Sequence, residues 1–485
     1  MGFQDILCSK ASEVFVAAAT VMATVTCGGS RQPPATFDLV VANGRVMDPE
    51  SGLDEVRHIG IRGRTIAAVS TTPLTGTRVI EAAQMVVAPG FIDLHEHGQQ
   101  EESYRMMVRD GVTSAFELEV GTADVARWYS DREAGQIVNY GVSIGHIPVR
   151  MKVLGDPGKG LLPAGVGGTG HATEAQMVVM EALLRDGLAQ GAVAMGFGSA
   201  YTPGAPMSEI ERMFGVGARS AASAHIHMRG GLAGLRETIA AAAAARVPLH
   251  IVHVNSSAVA EIDAFLAAIK AARDGGQDVT TEAYPYGAGM TEIQSALFDD
   301  WKTWPDDRFG IHQLVSTGER LTRATFEKAR AEGGTVIIHN RTEEQTRAAI
   351  ASPLTMIASD GFIENGRGHP RTSGTYAKVL GKYVREEKIV PLMDALRRMT
   401  IEPARRLERR TPAMSTKGRI RIGADADVTI FNPATVIDRA TYEDASIPSA
   451  GIPYVVIGGE VAVDNGTVTD ARAGRAIRAP LAARR

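Results

Sequence analysis

The stretch VVAPGFIDLHEHGQQ, residues 86–100, sets two histidines one residue apart just after a run of strand-forming residues. Side chains two apart on a strand point the same way, so His95 and His97 can both face one interior, while Glu96 between them faces away and reads as structural. Two imidazoles so placed are either metal ligands or ordinary polar residues where a strand meets its loop. The choice depends on what the rest of the chain brings to the same rim.

Outward from this stretch the chain has two textures. TFDLVVANGRVMDPESG, from Thr36, alternates apolar and polar residues and then turns on Asn-Gly and Pro-Glu-Ser-Gly; VRHIGIRGRTIAAVS is a second hairpin-like unit, and RVIEAAQMVVAPGFID leads out of it. GRIRIGADADVTIFNP and GIPYVVIGGEVAVDNGTVT repeat that texture near the C-terminus. Either half alone would leave an apolar sheet face uncovered, so residues 36–88 and 417–485 are expected to form one small β-sandwich, the latter with a C-terminal tail.

The middle, residues 89–416, alternates strand-like segments (GVTSAFELEV, GVSIGHIPV, GAVAMGFG, AHIHM, PLHIVHV, DVTTEAYPY, TVIIHN, TMIASD) with helical ones such as EAQMVVMEALLRDGLAQG and LRETIAAAAAARV. Such alternation over some 300 residues implies a parallel sheet, and without a Gly-rich dinucleotide fingerprint it favours a (β/α)8 TIM-type barrel. The expected fold class is therefore α/β, a barrel with a small β-sandwich made from both chain ends.

Barrel enzymes carry their chemistry at the C-terminal ends of the strands. In order these ends offer His95 and His97, Glu117 or Glu119, His146, His225 or His227, His250 or His253, Tyr284 or Tyr286, His339 and Asp360, and most of the chain's 12 histidines lie among them. Imidazoles with carboxylates suit zinc or a similar divalent ion, which polarises a carbonyl and acidifies a water. In TSAFELEVG the alternation turns Ala115, Glu117 and Glu119 to one face; Glu119 lies nearer the rim and is preferred over Glu117 as a bridging ligand. Asp360 ends an apolar strand where a general base or acid would reach the attacking water; an N-cap or turn role before Gly361 is the competing reading.

Bulk properties narrow the function further. At 485 residues and 44% hydrophobic content the chain can bury a large core. A net charge of −4 with no basic stripe, and 5% aromatics, argue against nucleic acid. The two cysteines, Cys8 and Cys27, precede the folded region and leave neither a disulfide framework nor a cysteine-held metal. VFVAAATVMATVTCGGSRQPPA has the length of a signal-peptide core rather than a membrane span, so residues 1–35 read as a leader or disordered linker, and the protein as exported or periplasmic. Cys27 before Gly28-Gly29 has the look of a lipoprotein processing site, the one route expected to a membrane; an unprocessed leader would leave the protein cytoplasmic.

Taken in order, PGFIDLHEH, GHIPVR, GFGSAYTPG, HMRG, YPYGAG, SDG followed by GHPRTSGTYAKVLGKYVRE, TIEPARRL, GADADVTIFNP and GIPYVVIGGEV resemble the amidohydrolase superfamily and, within it, the N-acyl-D-amino-acid deacylase (D-aminoacylase) family, over roughly residues 36–478. The resemblance implies a barrel with one or two zinc ions that hydrolyses the amide of a small N-acylated amino acid; the sequence leaves the oligomeric state open, a homo-oligomer among the options. It implies His95, His97, His227 and His253 as metal ligands, Asp360 as the catalytic aspartate, and Arg371 and Tyr286 as the grip on the substrate carboxylate, for which a guanidinium is suited. His225 and His250 are left as supporting neighbours. Two departures stand out. The family's cysteine ligand at the end of the second strand is replaced by ELEVG, so a carboxylate must substitute, and a family lysine among the substrate contacts is replaced by Asn255. The alternatives are a cyclic amidase or dipeptidase of the same superfamily, whose bridging carboxylated lysine could only be Lys152 here, and a barrel scaffold without catalysis, which would not have kept every ligand.

Overall fold

The computed structural model describes residues 36–158 and 160–481; the leader expected over residues 1–35 lies outside the described residues. Eight parallel strands follow one another around a barrel: β1 (Phe91–Asp93), β2 (Val112–Thr122), β3 (Asn139–Gly145), β4 (Met195–Gly198), β5 (Ala224–His227), β6 (Leu249–Ile251), β7 (Val279–Ala283) and β8 (Thr355–Ile357). They are buried almost throughout, as strands covered on both faces must be. Between β8 and β1 there is no ladder. The seam closes just beyond the strand ends, where Glu96 bridges Gly361, the Asp360 N–H donates to the His95 carbonyl at 2.6 Å, and the His97 N–H donates to Gly361 at 3.1 Å. The chain thus stitches the HxH segment to the Asp360 loop through its own backbone.

The expected helices form at Glu174–Ala189, opened by a Thr173–Gln176 capping box, and at Gly231–Ala245. TVIIHN does not behave as expected. Thr335–Ile338 is the middle strand of a separate three-stranded antiparallel sheet with Gly289–Glu292 and His312–Leu314, inserted between β7 and β8. This insertion has its own apolar core around Ile293, Phe298, Trp304, Phe309 and Phe326. A short apolar run flanked by turns fits a barrel strand and an antiparallel strand equally well, and the insertion displaced the eighth barrel strand to TMIASD. The first barrel strand is only Phe91–Asp93, inside the PGFID that opens the chain's entry to the barrel.

Strands from both ends of the described chain share one nine-stranded sheet. Val86–Pro89 pairs antiparallel with Val428–Phe431, while Phe37–Asp48 pairs with Leu53–Arg62 on one side and with Gly76–Glu81 and Val86–Pro89 on the other. Leu39, Ile59, Ile61, Val87, Val428 and Ile430 form its buried core. A single residue, Gly90, separates this sheet from barrel strand β1.

A buried charge cluster ties sheet to barrel. Lys417, 6% exposed, donates to Asp427 at 2.7 Å and pairs with Asp425 at 2.8 Å, and Asp427 also accepts from Asn139 of β3 at 2.9 Å and from the Gly458 N–H at 2.7 Å. Burial would lower the lysine pKa, but the two aspartates outweigh it and raise it. Removing one partner of such a pair leaves a buried charge uncompensated. Lys417→Met is therefore expected to lower stability by about 3 kcal/mol, read as a lower midpoint in equilibrium urea unfolding, and adding Asp427→Leu is expected to restore part of it. An unchanged midpoint in the single variant would contradict this.

Candidate metal centre and active site

Four of the site's side chains come from the loop after β1 and from the end of β2. β2 is bulged: Glu117 pairs with Val142, but the next pairing is Thr122 with Ile144. The extra residues let both Glu117 and Glu119 turn into the barrel mouth, at the price of a close backbone approach that only glycine tolerates. A Cβ on Gly196 of β4 would strike the Glu119 carbonyl. His227 ends β5, His253 lies two residues beyond β6, and Asp360 lies three beyond β8. His253 (φ 31°) and Asp360 (φ 54°) both hold left-handed backbone, a strain of about 1–3 kcal/mol each that persists where the surroundings over-determine the conformation.

These atoms converge. His95 Nε2 lies 3.2 Å from His97 Nε2, 2.7 Å from Glu119 Oε2 and 3.3 Å from Asp360 Oδ1; His97 Nε2 lies 3.3 Å from Glu119 Oε2 and 3.4 Å from Asp360 Oδ1. On the other side Glu119 Oε1 is 2.9 Å from His227 Nδ1, which is 3.1 Å from His253 Nε2. There are thus two clusters, His95–His97–Glu119–Asp360 and Glu119–His227–His253, sharing Glu119. Ligand atoms around a tetrahedral zinc with bonds of about 2.0–2.1 Å lie roughly 3.3 Å apart; four of the five distances in the first cluster are 3.2–3.4 Å, and His95 to Glu119 is shorter at 2.7 Å. The donor set of imidazoles and carboxylates suits the same ion.

Electrostatics agree with a cation site. Burial alone would disfavour charge on His95, but Asp360, Glu282 and Glu119 outweigh it, so the field here stabilises positive charge. Burial would likewise raise the Glu119 and Asp360 pKa values, yet the histidines around Glu119, and Arg371 and His95 beside Asp360, hold both carboxyls below the ordinary range. His253 is pushed down to about 3 by burial and by His227, leaving a neutral imidazole with a lone pair to give.

Both HxH imidazoles are locked from behind. His95 Nδ1 donates to Glu282 Oε1 at 2.5 Å and His97 Nδ1 donates to Glu117 Oε2 at 2.6 Å, which turns each Nε2 toward the centre. Glu117, the second-choice ligand, is thus the partner of His97 and is itself held by the Val120 and Gly121 N–H groups. Glu282, on β7, was not anticipated; its signal is an acid in the buried run VTTEA two residues before Tyr284. Its other oxygen pairs with His250 Nε2 at 2.9 Å, and the His250 ring packs on His225 with centroids 4.6 Å apart. Glu282→Gln is expected to weaken metal affinity about 10- to 100-fold without unfolding the protein, measured by competition with a chelating dye. Unchanged affinity would remove Glu282 from the account.

Other expected residues sit elsewhere. His146 is the first residue of the helix His146–Leu154, and its Nε2 pairs with Glu209, away from the clusters. His339 follows the insertion strand and hydrogen-bonds Gln313. Lys152 lies on a helix and is exposed, so it cannot bridge metals from a strand. Glu96 does not face solvent: it is buried, neither carboxylate oxygen has a hydrogen-bond partner, and burial, then Glu117 and Asp93, push its pKa well up. The three residues expected to touch substrate are all buried behind the cavity wall. Arg371 pairs with Asp360 Oδ2 at 2.8 Å and lies over the Tyr284 ring; Tyr286 donates to Asp438 at 3.2 Å; Asn255 donates to the Tyr284 carbonyl at 2.9 Å. One Arg371 nitrogen thus lies against Asp360, while the guanidinium nitrogens are otherwise buried without a hydrogen-bond partner and outside the cavity lining.

The clusters form the floor of a cavity of about 870 Å³, where His97, Glu119, His227, His253 and Asp360 meet the lining of the insertion. Residues 206–463 match the model of the amidohydrolase family. The chain belongs to that family. It is a hydrolase of amide C–N bonds, acting on a small-molecule amide. Among curated relatives, it is 29% identical to an N-acyl-D-glutamate deacylase of Alcaligenes xylosoxydans xylosoxydans over 87% of this chain and 93% of that one, and 27% identical to a D-aminoacylase of the same organism over 92% and 99%. Among solved structures, an N-acyl-D-glutamate deacylase from Bordetella bronchiseptica, complexed with zinc and a phosphonate mimic of the tetrahedral intermediate, superposes with a TM-score of 0.80 at 25% identity, covering 92% of this amidohydrolase and all of that chain. A D-aminoacylase described by its binuclear metal centre gives 0.78 at 26% identity, over 91% of this chain and all of that one.

Proposed function

We propose that this amidohydrolase removes the acyl group from N-acyl amino acids, with Asp360 as general base and acid and with zinc held by His95, His97, Glu119, His227 and His253. The observation that carries the reading is the pair of clusters sharing Glu119 at the cavity floor. The zinc-bound relative supports the choice of metal, and the one with a binuclear centre supports room for two ions. A divalent ion held there supplies an electrophile for the acyl carbonyl and lowers the pKa of a water.

The chain's own residues do the rest. Asp360 turns Oδ1 toward His95 and His97 and gives Oδ2 to Arg371, so one oxygen is free to take the proton of the attacking water. Arg371 keeps that carboxylate ionised until the proton arrives. Asp360 then protonates the departing nitrogen, and the products are a carboxylic acid and an amino acid with a free amine. Glu117 and Glu282 hold the two imidazoles in one tautomer throughout. The bridge between the clusters is a carboxylate rather than a lysine, which weighs against a cyclic amidase built on a carboxylated lysine.

The cavity wall bears on substrate choice. Val120, Leu162, Leu297, Phe298, Trp304 and Ile338 line it. Of the two arginines lining it among the described residues, Arg229 donates to the carbonyls of Thr202, Pro203 and Ala205, and Arg308 lies over the Trp304 ring at 3.9 Å. Apolar substrates are therefore expected to be favoured. N-acetyl-D-leucine and N-acetyl-D-phenylalanine should exceed N-acetyl-D-glutamate in kcat/KM by about 10- to 200-fold, and prolonged chelation should abolish turnover until zinc is restored. The decisive assay is a panel of these three with N-acetyl-L-leucine and hydantoin, on protein of measured metal content. Turnover of hydantoin alone, or turnover that survives complete metal removal, would defeat the proposal.

A further inference from the structure

The cavity over the metal clusters is larger than a small N-acyl amino acid needs. At about 870 Å³ it stands near the top of the range of roughly 300–1,000 Å³ that takes drug-sized ligands, and an N-acetyl amino acid is far smaller than those. Its lining is divided. On the side of His227 and His253 it is polar: Arg229, Gly230 and Gly231 follow β5, and Ser256 and Ser257 follow β6. On the side of Glu119 it turns apolar.

The apolar side is a continuous track. It starts at Val120, the residue after Glu119, which packs with Leu162 and Tyr201. Leu297 of the insertion packs against that group and also against the insertion's own core, so it joins the two. Ile311 and Ile338 carry the lining further into the insertion, and both, like Leu297, keep part of their surface open. Leu161, 36% exposed, adds to the wall from the loop at residues 160–162. That loop is fastened to the insertion, because the Leu161 N–H donates to Glu292 Oε1 at 2.9 Å; the acid in this part of the lining is thus turned to backbone.

An N-acyl amino acid has two ends of unlike chemistry. The carboxylate hangs on the carbon next to the scissile nitrogen, so the amine side of the amide carries the charge and is costly to lay on apolar side chains. The acyl side has no polar group beyond the carbonyl under attack. We propose, on the deacylase reading of this site, that the group removed is a medium-chain fatty acyl group, laid along the track from Val120 past Leu297 to Ile338, with the amine side toward Arg229 and Ser256. Each methylene buried there strengthens the interaction about fourfold, and the same factor is expected in kcat/KM as the chain lengthens.

Racemic N-acetyl-, N-butanoyl-, N-hexanoyl- and N-octanoyl-alanine, assayed on the full-length, zinc-loaded protein, test this. kcat/KM is expected to climb along the series by about fourfold per methylene. N-octanoyl-alanine should also exceed N-acetyl-2-aminononanoate, an isomer with the chain moved to the amino-acid side, at least tenfold. Leu297→Trp narrows the track where its two parts meet and should lower the octanoyl-to-acetyl ratio of kcat/KM at least tenfold, a ratio that a general loss of folded enzyme leaves unmoved. The isomer pair on the unaltered enzyme decides the matter if Leu297→Trp does not fold. A flat series, or the isomer as the better substrate, would overturn the acyl assignment while deacylation stands; no turnover of any member would defeat the deacylase reading and this inference together.

Discussion

An Asp360→Asn enzyme loaded with zinc is expected to hold that metal and keep its fold while kcat falls about 10²- to 10⁴-fold. The amide keeps the shape of the side chain, and the backbone bond from the residue 360 N–H to the His95 carbonyl, which helps close the barrel seam, does not depend on the side chain. Five other ligand-type residues remain to hold metal, so zinc content should barely move. The lost element is a proton acceptor facing His95 and His97 at 3.3 and 3.4 Å. The Arg371 guanidinium would then face a neutral amide in a buried setting, so a modest drop in melting temperature should accompany the loss of turnover. Rates measured beside metal content in one preparation decide the point; near-normal turnover with full zinc would remove Asp360 from the chemistry.

Glu119→Ala should do the reverse, losing metal first and activity as a consequence. Glu119 alone contributes to both clusters, with Oε2 toward His95 and His97 and Oε1 toward His227. Without it the imidazoles of the two groups face one another with no anion between them, and the field that favours a cation collapses. Turnover should fall by about 10³-fold or more, the equivalent of roughly 4 kcal/mol, and elemental analysis should find substoichiometric zinc. Glu119→Cys offers a sharper version: a thiolate is the ligand that the deacylase resemblance leads one to expect at this strand end, so this variant should hold more metal than Glu119→Ala. Equal zinc in wild type and Glu119→Ala would show that Glu119 is not the bridge.

Much of this was legible in the chain because barrel geometry converts a linear pattern into a spatial one. His95, His97, Glu119, His227, His253 and Asp360 all end or follow strands, and parallel strands bring their C-terminal ends to one rim whatever their separation in sequence. The preference for Glu119 over Glu117 followed from position along β2, although the bulge that turns both into the site leaves no mark on the alternation. What stayed hidden has physical reasons. TVIIHN carries the same apolar texture as a barrel strand, and only tertiary pairing assigns it to the insertion, taking His339 with it. Glu282 acts through His95, and a role of that kind depends on which ring nitrogen faces the site, a fact that residue order does not encode. Glu96 reads as outward by alternation, but the strand has ended at Asp93, so the rule no longer applies there. Arg371, Tyr286 and Asn255 lie near the rim in sequence yet are buried outside the cavity lining, where Arg371 meets Asp360, Tyr286 meets Asp438 and Asn255 meets the Tyr284 carbonyl, contacts that residue order does not encode.

The central claim is that one carboxylate joins two histidine pairs around a hydrolytic ion. Anomalous diffraction from crystals of the zinc-loaded protein addresses it directly. The structure predicts zinc density within about 2.0–2.2 Å of a Glu119 carboxylate oxygen, flanked by His95 and His97 or by His227 and His253. Zinc bound elsewhere, with Glu119 beyond coordination distance, would contradict it.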